Sequence, residues 1–272
     1  MSPLIEADCS KCGEHYSAPI EGEHRILCGD STSKADIGRL VAGKPVDMVW
    51  TDPPYGVDVT GGTHDPRDKA NYGKGKKVTN DAMSEEETER LWREVAGATA
   101  SVSRAGAAWY TAAPPGPLHL RFARVLDDLG ILRQQLIWVK SNFVFGRSDY
   151  HYRHEPIMYG WMPDGAHYFV DDRTQDTVLE FDRPERDLSH PTMKPVELVA
   201  RCIRNSSKPG ETILDPFGGS GTTLIAAHQE GRVARLCEIS PEYVDVTIAR
   251  AAAFTGLDPL RESDGALWSD LS

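Results

Sequence analysis

The chain has 272 residues, 40% apolar and 26% charged, enough for one α/β domain with a full core. No apolar run approaches the ~18 to 20 residues that cross a bilayer, and the opening MSPLIEADCSKC shows neither a basic nor an apolar leader, so the sequence reads as cytoplasmic with no membrane partner. A formal charge of −11 argues against a nonspecific coat on nucleic acid, and five irregularly spaced cysteines argue against a disulfide scaffold.

Residues 1–23 carry no hydrophobic period and read as an arm. Within it, Cys9-Ser10-Lys11-Cys12 is similar to half of a zinc site, with His15, His24 or Cys28 as completions; lacking a second pair, it reads as reduced thiols and no metal is expected. An apolar run at 46–50 stops at Thr51-Asp52-Pro53-Pro54, as a buried strand does when it feeds a loop, because paired prolines cannot continue a central strand. Residues 58–81 are rich in Gly, Lys and Asp without hydrophobic pattern and are expected to form a flap. From Thr60 to Thr79 the cations Arg67, Lys69, Lys74, Lys76 and Lys77 outnumber the anions Asp65 and Asp68, so a locally basic surface is expected on an acidic chain.

Ser84-Glu85-Glu86-Glu87 predicts a capping box opening a helix with the apolar face Leu91, Val95, Ala98 and Val102. A strand at 107–111, a helix ending near Gly130 and a strand at 132–139 follow. The runs 155–161 and 166–170 flank Met162-Pro163-Asp164-Gly165 and predict a hairpin, after which 171–189 is polar. Pro195 opens a helix to about Asn205, and then come a strand at 212–214, a helix at 220–231 and a strand at 233–238. A last helix at 241–254 is expected to be capped by Ser240, and 257–272 reads as a loose acidic tail. Alternating strands and helices imply a doubly wound, mostly parallel α/β sheet with ligands at the carboxyl ends of its strands.

Two motifs carry chemistry. Asp215-Pro216-Phe217-Gly218-Gly219-Ser220-Gly221-Thr222 is a strand end, a glycine turn and a helix start, where backbone can approach a ligand closely. Glu238 follows Asp215 by 23 residues at the end of the next strand, where an acid commonly holds the two hydroxyls of a ribose. The other motif is Thr51-Asp52-Pro53-Pro54-Tyr55-Gly56. An exocyclic amine on a nucleobase is a poor nucleophile because its lone pair is delocalised into the ring. A carboxylate (Asp52) and a backbone carbonyl (Pro53) that each accept one N–H pull it toward tetrahedral geometry, Pro54 stiffens the loop, and Tyr55 offers a ring face for an extruded base.

These motifs, joined by His190-Pro191-Thr192-Met193-Lys194-Pro195, resemble the S-adenosylmethionine-dependent DNA amino-methyltransferases, in the motif order of their β class, a circular permutation of the class I methyltransferase sheet. The resemblance covers 24–256 and implies a methyltransferase domain there. It implies that Thr51, Asp215, Pro216, Phe217, Gly218, Gly219, Gly221 and Thr222 border the cofactor S-adenosyl-L-methionine, that Glu238 holds its ribose and that Asp30 of Leu27-Cys28-Gly29-Asp30 reaches its adenine. Thr192, Lys194 and Pro195 would close over its methionine end. Trp138-Val139-Lys140 and His154-Glu155-Pro156-Ile157 match family segments too, but they are read as a buried charge pair or hairpin packing with no catalytic role.

The resemblance implies DNA as substrate, base flipping, and a place in DNA methylation of the restriction-modification kind. Phosphate contacts are expected from Arg67, Lys69, Lys74, Lys76 and Lys77, with Lys140, Arg147 and Arg153 next. Target recognition is expected at 162–189, short for that task, so either the flap shares it, or a homodimer or specificity partner does, or specificity is low. Asp before the prolines leans to adenine N6; cytosine N4 and a catalytically silent DNA-binding subunit are the alternatives. Cytosine C5 chemistry needs a cysteine, normally presented after proline, and none of Cys9, Cys12, Cys28, Cys202 or Cys237 follows one. The protein glutamine methyltransferases carry Asn where Asp52 stands.

Overall fold

A computed structural model describes residues 24–56, 83–143, 149–182, 193–260 and 265–270. The elements in chain order are β1 (Arg25–Cys28), α1 (Lys34–Val41), β2 (Val46–Thr51), α2 (Glu85–Ala100), β3 (Ser103–Ala112), α3 (His119–Asp128), β4 (Leu132–Val139) and β5 (His154–Trp161). They continue with β6 (Val178–Glu180), α4 (Val196–Ser206), β7 (Thr212–Asp215), α5 (Thr222–Gln229), β8 (Val233–Glu238) and α6 (Pro241–Thr255).

The strands form one sheet of eight in the order β1-β8-β7-β2-β3-β5-β4-β6. Neighbours are parallel except around β5, which runs antiparallel to both β3 and β4. Alternate side chains leave the sheet on opposite faces. Ile26, Met48, Trp50, Tyr110, Ile213 and Leu236 pack against α4, α5 and α6 through Leu198, Leu224 and Ile248. Leu27, Val49, Trp109, Leu214 and Cys237 pack on the other face against α1, α2 and α3 through Leu40, Trp92 and Phe122. Both faces are covered, which is why the central strands read as continuous apolar runs.

The topology places the site. Strand order reverses between β7 and β2, and the register pairs Val49 with Leu214, so the loops after Thr51 and Asp215 leave the sheet side by side. β7 is late in the chain yet central in the sheet, while β1 lies at the edge beside β8, the last strand. This is the permuted order that the resemblance implies.

Several expectations need correction. The predicted hairpin about 162–165 does not form: β5 pairs with β4 and β3 instead, and 166–170 is not a strand. After the turn the chain is drawn off the sheet by the stack of His167 on Trp161, with centroids 3.7 Å apart, and by the Val170 amide, which donates to the Asn205 carbonyl of α4 at 2.7 Å. The polar stretch hides β6, which pairs parallel with β4. β1 and α1 had no reading as elements, since four and eight residues give periodicity little room. Ser84 does form the capping box, and of the expected face Val95 and Ala98 are buried with Leu91 packed beside them, joined by Thr88, Trp92 and Ala96; Val102 packs on the same core from beyond the helix end. Ser240 occupies the N-cap of α6 without a side-chain capping bond. The tail is not loose among its described residues: Leu260 bridges Leu267, and Ser269 bonds Asp258 through its amide at 3.1 Å and its hydroxyl at 2.5 Å. The arm at 1–23, the flap at 58–81 and the segment 183–192 lie outside the described residues.

Candidate active site

Two loops at the carboxyl edge build the site. The first follows β2, where Thr51 and Pro53 are buried and Asp52, Pro54 and Tyr55 half-buried. The Asp52 carboxylate is held from two sides. Tyr55 donates its hydroxyl to Oδ1 at 2.8 Å, and the Lys194 ammonium donates to Oδ2 at 2.5 Å. The Tyr55 ring meets Phe122 edge-on, with centroids 6.1 Å apart, and Lys194 Nζ lies 5.6 Å from its centre. Burial raises the Tyr55 phenol well above its ordinary range, and the nearby Asp52 charge raises it further, so it stays a hydrogen-bond donor.

Lys194 precedes α4, whose N-cap is the buried Pro195. Its Nζ also lies 3.3 Å from Glu155 Oε2, and Glu155 in turn accepts from Lys140. The expected buried charge pair between the Trp-Val-Lys and His-Glu-Pro segments is therefore present, and it continues through Lys194 into the loop after β2. Burial favours a neutral Lys194, but the Asp52 and Glu155 carboxylates outweigh it and raise its pKa. Likewise Lys194 and Lys140 overcome burial to hold Glu155 below the usual carboxylate range.

The second loop is the glycine turn after β7. Asp215 accepts from the Phe217 amide at 3.0 Å and from the Thr223 hydroxyl at 2.5 Å, tying the strand end to the first turn of α5, which Thr222 opens. Burial nevertheless pushes its carboxyl up to about 7. Gly221 requires glycine because it has φ +82° and a Cβ there would lie 2.6 Å from Thr247 Cγ2, while at Gly218 a Cβ would stand a tight 3.0 Å from Leu236 Cβ, which would have to give by a few tenths of an ångström. Gly219 differs: its φ is +51°, and a Cβ would meet nothing nearer than the Phe217 carbonyl at 3.9 Å. The space over Gly219 is open.

Glu238 closes this side. Its carboxylate accepts from the Gly219 amide at 2.8 Å and the Ser240 amide at 2.9 Å, and burial raises its pKa. Each oxygen keeps a further lone pair for a ligand hydroxyl. The Gly29 amide donates to the Glu238 carbonyl at 3.0 Å, bringing Asp30 to the same edge, where its carboxylate accepts from Thr32 at the start of α1. Ser31 donates to the Pro216 carbonyl, and the half-buried Phe217 packs against the core on the α1–α3 face. A cleft of about 420 Å³ lined by Phe181, Asp182, Met193, Lys194, Pro195 and Arg250 adjoins the glycine turn.

Sequence reasoning missed the braces of this loop. Thr247 donates to the Gly219 carbonyl at 2.8 Å, and Arg250, one turn on along α6, bonds the Ser220 carbonyl and hydroxyl, the latter at 2.9 Å. Their spacing on a predicted helix was the available signal; nothing in the sequence said which loop that face met. The Tyr55 hydroxyl and Glu155 were missed as partners of the Asp52 cluster.

Of the expected DNA contacts, Arg67, Lys69, Lys74, Lys76, Lys77 and Arg147 lie outside the described residues, as do Thr192, Cys9, Cys12 and His15. Arg153 is exposed. Lys140 is corrected: it is buried and paired with Glu155, so its charge is turned away from phosphates. His24 is also buried, accepting from the Ala234 amide at 2.9 Å and facing His228 at 3.2 Å, and burial lowers its pKa to about 3, with His228 and Arg235 adding to the effect. Among the described residues no group of three or more His, Cys, Asp or Glu could hold a metal, and no helix is long and apolar enough to cross a membrane.

A family model described as DNA methylase, N6_N4_Mtase, matches residues 46–250. The type II methyltransferase M.Cfr9I of Citrobacter freundii is 31% identical over 152 residues, 49% of this chain and 48% of that relative. The chain spans about half the length of the curated relatives it matches. Among solved structures, the M1.HpyAVI–SAM complex superposes with a TM-score of 0.59 at 19% identity, covering 83% of this chain and 98% of that one. The PvuII DNA methyltransferase, cytosine-N4-specific, superposes with a TM-score of 0.61 at 18% identity, covering 86% of each chain. At such identities the structures establish the fold, a class I S-adenosylmethionine methyltransferase sheet.

Proposed function

Because the chain belongs to the DNA methylase family N6_N4_Mtase, we propose that it transfers a methyl group from S-adenosyl-L-methionine to the exocyclic N6 amine of adenine in DNA. The observation that carries the reading is the Asp52 carboxylate, fixed by Tyr55 and Lys194 at the end of the strand next to the glycine turn. That placement puts an acceptor for an amine beside a site for a cofactor.

The residues present fit the cofactor. Open space over Gly219, the Glu238 carboxylate at the neighbouring strand end and Asp30 beyond it suit the adenosyl part, and the cleft beside Lys194 and Arg250 suits the methionine end. The cofactor supplies a methyl group on a sulfonium, an electrophile needing no metal. The protein's part is to prepare the amine. Asp52 and the Pro53 carbonyl each accept one N–H, which turns the nitrogen lone pair out of conjugation and aims it toward the glycine turn. Tyr55 and Lys194 hold the carboxylate beside the glycine turn before the amine arrives.

Adenine is preferred because Asp stands before the prolines, and Arg153 together with the basic residues of 58–81 supports DNA as partner on grounds of charge. Target recognition is assigned to 162–189 on the family resemblance, and the shortness of that stretch favours a share for the flap or a second subunit.

Replacing Asp52 by Ala removes one of the two acceptors for the amine. Single-turnover methyl transfer to DNA should fall by at least about a hundredfold, while calorimetric affinity for S-adenosylmethionine stays within about twofold, since Asp52 is assigned to the amine. A variant that keeps its rate would contradict the assignment.

A further inference from the structure

The chain of charges behind Asp52 is longer than holding one carboxylate requires. Lys140 at the end of β4, Glu155 in β5, Lys194 before α4 and Asp52 after β2 alternate in sign, and all but Asp52 are buried or nearly so. Such a row is costly to desolvate, and apolar side chains of the same volume would often hold the fold as well. The detail that gives it a use is the asymmetry at Lys194. Its Nζ bonds Asp52 Oδ2 at 2.5 Å, whereas the buried Glu155 Oε2 is held only by the longer ion pair at 3.3 Å. An ammonium with three protons thus sits between one carboxylate oxygen that is taken and one that is waiting.

Resting on the amine-binding role of Asp52, we propose that Glu155 is a positioning residue that receives the Lys194 ammonium when Asp52 turns to the target amine. With Tyr55 on Oδ1 and Lys194 on Oδ2, an arriving N–H must share an oxygen already bonded to a donor. A displacement of Nζ by a few tenths of an ångström turns the 3.3 Å contact into a hydrogen bond and loosens the one to Asp52. The sum of the charges is unchanged, so no buried group is left uncompensated. Lys140 keeps Glu155 ionised and fixes its other oxygen, so that Oε2 stays pointed at Lys194.

The test uses the full chain, its methylation site first mapped on genomic DNA, with duplexes carrying the target base intact or replaced by purine, which lacks the exocyclic amine. In Glu155→Gln the waiting acceptor becomes an amide that cannot take an ammonium in ion pairing. We expect the methyl-transfer rate to fall about tenfold or more and the preference for the amine-bearing duplex to vanish, while affinity for the purine duplex and for S-adenosylmethionine stays within about twofold. Equal losses on both duplexes and on the cofactor would show a merely structural role, and an unchanged rate and preference would overturn the proposal. Should Glu155→Gln fail to fold, Glu155→Asp keeps the partner of Lys140, withdraws the acceptor from Lys194 by one methylene and carries the same expectation. If the wild-type chain itself methylates no DNA, the function proposed above fails first, and this inference falls with it.

Discussion

At the scale of single residues, the site is a set of carboxylates whose surroundings push them apart. Glu155 is held low by two ammonium groups, whereas Asp215, with no cation beside it in its hydrogen bonding, is pushed up to about 7. The sign of the consequence follows from linkage. A carboxyl whose pKa is raised by folding binds its proton more tightly in the native state, so the stability it contributes is complete below its ordinary value near 4 and is lost as pH rises through about 7. Asp215→Asn cannot titrate. Its denaturation midpoint should therefore rise relative to wild type between about pH 4 and pH 7, by a difference on the order of a few kcal/mol. Comparing the two proteins at each pH cancels His24, which is buried neutral with a pKa of about 3 and loses stability in the opposite direction as pH falls. A difference that stays constant across this range would contradict the raised carboxyl. The pairing of Lys140 with Glu155 was legible in the sequence, but Lys194 as its third member and the raised carboxyl of Asp215 were not, because burial and distant partners leave no local signal.

At the scale of elements, the glycine turn is a joint between β7, α5 and α6, and its glycines do different work. Gly221 is constrained by α6, since its Cβ would clash with Thr247 at 2.6 Å, while Gly219 faces open space and is constrained by its φ of +51° alone. Gly221→Ala should lower unfolding stability by roughly 1 to 3 kcal/mol in denaturant titration, through overpacking and backbone strain. Gly219→Ala should cost only about 1 kcal/mol yet weaken cofactor binding, because its new methyl enters the space assigned to the ligand. Equal stability losses with unchanged cofactor affinity would move the ligand elsewhere. The turn, its flanking strand and helix, the capping box at Ser84 and β4 from Leu132 to Val139 were all legible, because glycine, capping and apolar-run signals are local. The partner of β5 was not: a turn at 162–165 is real as a bend, but which strand pairs with 155–161 depends on β3 and β4 lying on either side of it. For the same reason β6 was hidden, three residues given strand form by an edge the sequence cannot display.

At the scale of the whole molecule, a permuted doubly wound sheet brings the loop after β2 and the loop after β7 together at its switch point, and everything proposed here depends on that meeting. The net charge of −11 opposes approach to DNA at long range, but screening beyond about 8 to 10 Å at physiological salt leaves local cations in control of contact. The most direct measurement is to incubate the purified chain with S-adenosylmethionine and unmethylated genomic DNA, digest the product to nucleosides and weigh them by mass spectrometry. The expected product is N6-methyldeoxyadenosine, absent when the cofactor is withheld. N4-methyldeoxycytidine in its place would contradict the adenine assignment while leaving the amine chemistry standing, and 5-methyldeoxycytidine or no methylated nucleoside at all would contradict the account as a whole.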